Sequence, residues 1–310
     1  MRTIFFGTPE FAVPSLQALL DAGEEIVSVV TQPDRVKGRG HKLSQPPVKE
    51  HALSKGLPVI QPSGIRTSGF YEELSGLKPD IIVVVAYGKI VPPSILSLPP
   101  LGCINVHASL LPQYRGAAPI QWALINGEEK TGITTMLMDA GLDTGDMLLT
   151  EEVAIEKEDN AYTLSQRLSQ VGASLLVKTL KGLHGRMLKP VPQSGKPTFA
   201  PPLTKENGRI NWSLSAREIF NLIRGTYPWP GAYCYLNGEK LHIIKAKTEG
   251  HSVKGPAGRI EQISGSEIRV STGAGALVIA EVKPEGKKAM TAAAFVHGRH
   301  LKEGATFETL

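Results

Sequence analysis

The run Ile81-Ile82-Val83-Val84-Val85-Ala86, introduced by Asp80, is the stretch that most constrains this chain. It is apolar at successive positions, so both faces of the strand it forms must be covered. A strand buried on both faces belongs inside a parallel α/β sheet. Extended to Tyr87, the run is still far short of the roughly 18 apolar residues of a membrane-spanning helix. The neighbouring segments agree. Thr3 to Phe6 is a short apolar run ending at Gly7, Thr8 reads as a helix N-cap, and Pro9 suits a first helical turn. Phe11, Ala12, Leu16, Leu19 and Leu20 follow with helical spacing, and residues 26–30 form the next strand. Strand, helix and strand within about thirty residues make a βαβ unit. Residues 102–106 and 133–138 are further strands, and residues 161–183 a long helix with Leu164, Leu168, Val171, Leu175, Leu176 and Leu180 on one face. The pattern predicts a Rossmann-like open parallel sheet over residues 1–188.

The character then changes. Pro190, Pro192, Pro197, Pro201 and Pro202 crowd a stretch with little periodicity, so residues 189–206 read as an extended linker. Beyond it come one helical stretch, 215–224, and five short strand-like pieces at 232–236, 240–246, 258–263, 267–271 and 276–282. That pattern predicts a smaller, OB-like β-barrel domain over residues 207–310. A chain of 310 residues that is 41% apolar and 20% charged can bury two such cores. Charge is uneven: residues 206–310 hold 14 basic and 10 acidic side chains, against 20 and 19 in residues 1–205. A basic module beside a neutral one suits a polyanionic partner. Cys103 and Cys234 are too few for a disulfide framework or a thiolate metal site. No signal peptide is legible at the start, no membrane partner is implied, and a cytoplasmic location is expected. Nothing marks a dimerisation stripe, so a monomer is expected.

The turn after the first strand, Gly7-Thr8-Pro9-Glu10-Phe11-Ala12, lacks the G-x-G-x-x-G fingerprint, which weighs against a nicotinamide dehydrogenase. Chemistry is concentrated instead in Ile104-Asn105-Val106-His107-Ala108-Ser109-Leu110-Leu111-Pro112. On a strand, Asn105 and His107 project to one face near its C-terminal end, where open α/β sheets bind ligands. An amide and an imidazole there can hold a carbonyl oxygen that becomes an oxyanion. The turn Ser109, Leu110, Leu111 and Pro112 offers backbone groups and apolar faces to a flat heterocycle. A second loop, Met138-Asp139-Ala140-Gly141-Leu142-Asp143-Thr144-Gly145-Asp146, follows another strand. Its glycines let backbone approach a ligand, and Asp143 is the carboxylate chosen for proton transfer. Asp139 and Asp146 are expected to stabilise the turns.

Asn105-x-His107, the Ser109–Pro112 turn and the Leu142-Asp143-Thr144-Gly145-Asp146 loop together resemble the catalytic signature of the folate-dependent formyltransferases. Further similarity to the branch that acts on aminoacyl-tRNA lies in four places: Phe6-Gly7-Thr8-Pro9; Thr31-Gln32-Pro33-Asp34-Arg35 running to Gly38-Arg39-Gly40; Pro47-Val48-Lys49; and Tyr227-Pro228-Trp229-Pro230-Gly231-Ala232-Tyr233. The resemblance implies 10-formyltetrahydrofolate as donor, without a metal. As acceptor it implies the α-amino group of methionine carried on initiator tRNA. It implies that Asn105 and His107 bind the formyl oxygen and that Asp143 handles the proton. The basic loop with Arg35, Lys37, Arg39 and Lys42 would contact the acceptor end of the tRNA, Arg39 matching the family's key arginine. Tyr227 to Tyr233 is expected to be a packed, proline-stiffened turn more than a base-stacking platform. The competing readings are a formyltransferase for a nucleotide-sugar or ribonucleotide amine, a hydrolase of the same donor, and an RNA-binding protein without catalysis.

Overall fold

The computed structural model describes residues 1–37, 42–250 and 255–308. The strands, in chain order, are β1 (Arg2–Gly7), β2 (Glu25–Val30), β3 (Arg35–Lys37), β4 (Lys42–Ser44), β5 (Val59–Ile60), β6 (Ile81–Val85), β7 (Cys103–His107), β8 (Arg115–Gly116), β9 (Lys130–Leu137), β10 (Met147–Ala154), β11 (Phe199–Ala200), β12 (Tyr233–Leu236), β13 (Glu239–Glu249), β14 (Ile260–Ser264), β15 (Glu267–Ser271), β16 (Ala276–Pro284) and β17 (Met290–Thr291). The helices are α1 (Val13–Asp21), α2 (Pro47–Ser54), α3 (Ser68–Gly76), α4 (Pro93–Leu96), α5 (Pro119–Ile125), α6 (Ala161–His184), α7 (Ala216–Thr226) and α8 (Ala292–Gly298). Two compact units result. The first comprises Met1–Pro119, Lys130–Ala154 and Ser165–Pro201; the second comprises Ile120–Glu129, Ile155–Leu164 and the chain from Pro202 onward.

In the first unit seven strands form one sheet in the order β10-β9-β7-β6-β1-β2-β5. The all-apolar β6 sits at its centre, parallel to β1 and β7, with all five residues buried. The sheet is not wholly parallel as the sequence suggested. β9 runs antiparallel to β7, and β10 antiparallel to β9. For β10 the reason is the connection: the loop over 138–146 joins β9 to β10 as a hairpin, and so short a link cannot carry a parallel crossover. β10 itself escaped the sequence reading because it lies at the sheet edge, where alternate residues such as Glu152 are solvent-facing and no apolar run forms. On one face, α6 comes close to β7 and β9 at Gly172, where a Cβ would lie 3.1 Å from Val106 and 3.7 Å from Ile133. The buried hydroxyls of Thr135 and Thr179 join strand and helix at 2.8 Å.

Thr8 is not the helix cap that the sequence suggested. Pro9 holds the N-cap position of a short 3-10 turn, Glu10–Ala12, that precedes α1. The Thr8 hydroxyl instead donates to the Tyr87 carbonyl at 3.1 Å and accepts from the Gln32 amide at 3.4 Å. A side chain that can tie together the ends of three strands satisfies more buried backbone there than a cap would.

The second unit carries the expected antiparallel β-module. Its sheet runs β12-β13-β16-β15-β14, with β17 paired to β16. α7 begins with a capping box in which the Ser215 hydroxyl accepts from the Glu218 amide and Glu218 reaches back to the Ser215 amide. The core gathers on Trp212, fully buried and stacked on Phe307 with ring centroids 5.1 Å apart. Tyr233 is buried as expected, but Trp229 is 56% exposed, so the proline-rich turn packs through its tyrosine and leaves the indole in solvent.

Candidate active site

β7 delivers Asn105 and His107 to the same face of the sheet, as its two-residue period requires. His107 is 5% exposed. Its Nε2 lies 3.0 Å from the Tyr114 carbonyl oxygen. A carbonyl only accepts, so Nε2 carries the proton and donates. Nδ1 is then the ring atom turned to Asp143, 3.7 Å from Oδ2. The same carboxylate accepts from Asn105 Nδ2 at 3.3 Å through Oδ1 and from the Gly116 amide at 2.8 Å through Oδ2. The amide, the imidazole and the carboxylate picked from separate sequence segments therefore converge on one spot. Asn105 is partly buried and Asp143 keeps a side-chain exposure of 14%, so the cluster remains open to a ligand.

The loop that brings Asp143 there is tightly wound. Asp139 Oδ1 accepts from the Gly141 amide at 3.0 Å and from the Thr144 hydroxyl at 2.6 Å, the turn-stabilising part expected of it. A Cβ at Gly145 would collide with the Leu137 carbonyl oxygen, so the loop folds back on its own strand only with glycine there. Asp143 itself has φ +51°. Left-handed backbone costs a side-chain-bearing residue roughly 1–2 kcal/mol, and aspartate tolerates it better than most. Contacts from elsewhere must hold that conformation.

The turn after His107 is fixed from within. The Ser109 hydroxyl donates to the Gln113 carbonyl at 2.6 Å, and Thr134 Oγ1 donates to the Ser109 carbonyl at 2.7 Å while accepting from the Leu111 amide at 3.2 Å. Ser109 and Leu111 are buried, whereas Leu110 and Pro112 are half-exposed and offer apolar surface. The polar atoms of Ser109 therefore shape the turn and leave ligand contact to its neighbours.

Residues 191–200, read from sequence only as part of an extended linker, run across both loops. Val191 pairs with Met147 through two backbone hydrogen bonds of 2.8 Å. Gln193 Nε2 donates to the Asp143 and Gly145 carbonyls, each at 2.8 Å. Its Oε1 accepts from Arg115 Nε at 3.1 Å and Nη2 at 2.7 Å. Thr198 accepts from the Tyr114 amide at 2.8 Å, and β11 pairs in parallel with β8. Gly116 has φ +125° and a Cβ there would lie 2.6 Å from the Ala200 carbonyl oxygen, so only glycine lets this segment close on Asp143. Sequence reasoning missed Tyr114, Gly116, Thr134, Gln193 and Thr198. The glycine alone carried a local signal, because Tyr114 acts through its own backbone and the side chains of Thr134, Gln193 and Thr198 bind backbone groups, which every sequence has.

The basic residues divide. Arg35 is exposed on β3, and the backbones of Lys37 and Lys42 are paired in register at the ends of β3 and β4. Arg39 lies outside the described residues. At the base of that hairpin Lys49 Nζ donates to both Asp34 oxygens, at 2.9 and 2.8 Å, and to Gln61 at 2.7 Å. The hydrogen bonds from Lys49 and then Gln61 hold the Asp34 carboxyl below its usual range. In the second unit Lys245, Lys247, Arg269 and Arg299 pair with Glu281, Glu267, Glu249 and Glu239. Among the described residues no three His, Cys, Asp or Glu side chains lie close enough to hold a metal ion. Burial pushes the Cys103 thiol up to about 12 and the Cys234 thiol upward as well, so both are poor nucleophiles.

Comparison with known proteins covers both units. Residues 1–180 match the family model described as Formyl transferase, and residues 202–300 match Formyl transferase, C-terminal domain. A protein of Thermodesulfovibrio yellowstonii named methionyl-tRNA formyltransferase is 54% identical over 302 residues, covering 97% of each chain. One of the same name from Pelotomaculum thermopropionicum is 51% identical over 307 residues, covering 98% of this chain and 97% of its own. Among solved structures, an N-formyltransferase of Helicobacter canadensis in complex with folinic acid and dTDP-3-aminofucose aligns with a TM-score of 0.70. It is 21% identical, over 91% of this chain and 100% of that one, a likeness of fold.

Proposed function

The chain belongs to the formyl transferase family, and from that premise we propose that it passes a formyl group from 10-formyltetrahydrofolate to the α-amino group of methionyl-initiator tRNA. The relatives at 54% and 51% identity, both named methionyl-tRNA formyltransferase, support this acceptor. The folinic acid in the related fold supports a folate donor. The donor set also fits: an amide, an imidazole nitrogen and a carboxylate converge beside the half-exposed Leu110 and Pro112.

The donor supplies a formyl carbon ready for attack by nitrogen. Asn105 and His107 orient its oxygen and hydrogen-bond it as negative charge develops; losing one such donor typically costs about 10²–10³ in rate. With Nε2 committed as donor to the Tyr114 carbonyl, Nδ1 is the ring atom that reaches the oxygen, and it donates there only when it too carries a proton, as the imidazolium beside Asp143. Asp143 takes the proton released by the attacking amine, directly or through water, and as the formyl carbon–N10 bond breaks that proton is returned to N10 of the departing tetrahydrofolate, a contribution of about 10²–10⁴. The half-exposed Leu110 and Pro112 form the wall for the pterin, and the buried Ser109 and Leu111 hold the turn that presents them. Residues 1–188, braced by the 191–200 part of the segment that the sequence assigned to a linker at 189–206, would do this chemistry, and residues 207–310 would grip the tRNA backbone through phosphates. Arg35, Lys37, Arg39 and Lys42 would meet its acceptor end. The enzyme is read as a cytoplasmic monomer; no helix among the described residues is long and apolar enough to cross a membrane.

The single observation that carries this reading is the shared contact of Asp143 with Asn105, Gly116 and His107. Transfer of labelled formyl from 10-formyltetrahydrofolate tests it. Methionyl-tRNA is the expected acceptor, with uncharged tRNA and a nucleotide-sugar amine as controls. Label on the nucleotide sugar and none on methionyl-tRNA would overturn it.

A further inference from the structure

Asp143 reaches Asn105 and His107 from a loop in which its own bonds go to residues outside that loop. The loop's internal hydrogen bonds, from Gly141 and Thr144 to Asp139, close the turn around Asp143 without engaging any atom of Asp143 itself. The backbone carbonyls of Asp143 and Gly145 are instead held from outside, by the single amide nitrogen of Gln193. Gln193 is half-buried between exposed neighbours Pro192 and Ser194, so it is the point at which this segment turns inward. The other end of the same amide is gripped by the Arg115 guanidinium at two nitrogens, which fixes which way the amide faces: oxygen to arginine, nitrogen to the two carbonyls. Arg115 directly precedes Gly116, whose N–H binds Asp143 Oδ2. The result is a closed ring of bonds from Asp143 carbonyl to Gln193 to Arg115 to Gly116 and back to the Asp143 carboxylate. A ring of this kind holds a left-handed residue in place and sets the carboxylate beside His107 Nδ1.

We propose that Gln193 is a positioning residue for the reaction, fixing the Asp143 carboxylate through the Asp143 and Gly145 carbonyls and Arg115. Its effect on transfer rests on the function proposed above; its effect on the loop does not. Gln193→Ala removes both ends of the clamp. Gln193→Glu keeps a partner for Arg115 but sets a carboxylate oxygen against two carbonyls, so it separates loss of the loop contact from loss of the arginine contact.

Two readouts on the full chain test this. In the first, hydrogen exchange of the Gly116 amide, whose acceptor is Asp143 Oδ2, is followed by NMR. Both variants are expected to exchange there about tenfold or more faster than wild type, with the core amides of β6 unchanged. In the second, methionyl-tRNA formylation is expected to lose about 10–100-fold in kcat in both variants, with KM for the donor within about twofold. In an Asp143→Ala background the further loss from Gln193→Ala should be under about threefold, because the clamp then has no carboxylate to place. Unchanged Gly116 exchange in both variants overturns the proposal, as does an undiminished kcat, or an equal loss with and without Asp143. If exchange rises as expected but wild-type protein does not formylate methionyl-tRNA, the clamp stands and the proposed acceptor fails.

Discussion

Around Asp143 polar atoms meet at short distances in partial burial, while on the sheet of the second unit charges meet in open solvent. The Asp143 carboxylate, 14% exposed, accepts from the Gly116 amide at 2.8 Å and from Asn105 at 3.3 Å. Lys247 and Glu267 are also only 3.0 Å apart, yet their side chains are 65% and 35% exposed. Distance alone does not separate the two regions; burial does. In solvent such a pair is worth about 0–1 kcal/mol, whereas a partly buried hydrogen-bonded charge costs several times more to disturb. The first region is built for one geometry. The second spreads paired charges over an open surface.

The largest expected effect is the sharpest test of that contrast. His107→Ala and Asn105→Ala should each lower kcat by about 10²–10³ with an unchanged circular dichroism spectrum. In the same assay Lys247→Ala should stay within about twofold of wild type. Comparable losses from both sides would erase the distinction.

A smaller effect lies between the two extremes, at Asp34. Lys49 and Gln61 hold its carboxyl below the usual range, so the ionised form is favoured in the folded chain. A depressed folded value contributes stability that is complete above the unfolded value, about 3.9, and is lost as pH falls through the lower folded one. Asp34→Asn should therefore lower Tm by a few degrees at neutral pH, and the gap to wild type should close as pH drops below about 3.9. A gap that widens on acidification would show that Asp34 is not held as described.

The legible parts of the molecule are those whose cause is local. β6 announces itself because five apolar residues in a row leave no solvent face, and Asn105 with His107 because two polar side chains share a face at a strand end. Asp143 was found because glycines surround it. β10 and Gln193 were not. An edge strand alternates exposed and buried residues and so resembles a loop. Gln193 binds backbone carbonyls, and nothing in its neighbours' side chains points to it. Thr8 shows the opposite failure: a correct local signal for a cap was outweighed by partners 79 and 24 residues away. Site geometry depends most on long-range contacts of this kind, which a reading of local pattern does not contain.

The most direct measurement is single-turnover formyl transfer to methionyl-tRNA by Asp143→Asn, which keeps the size of the side chain and removes its charge. The account predicts a rate lower by about 10²–10⁴, with donor affinity close to wild type and an unchanged circular dichroism spectrum. A rate within about threefold of wild type would contradict it, because the carboxylate between Asn105, Gly116 and His107 would then have no part in the chemistry.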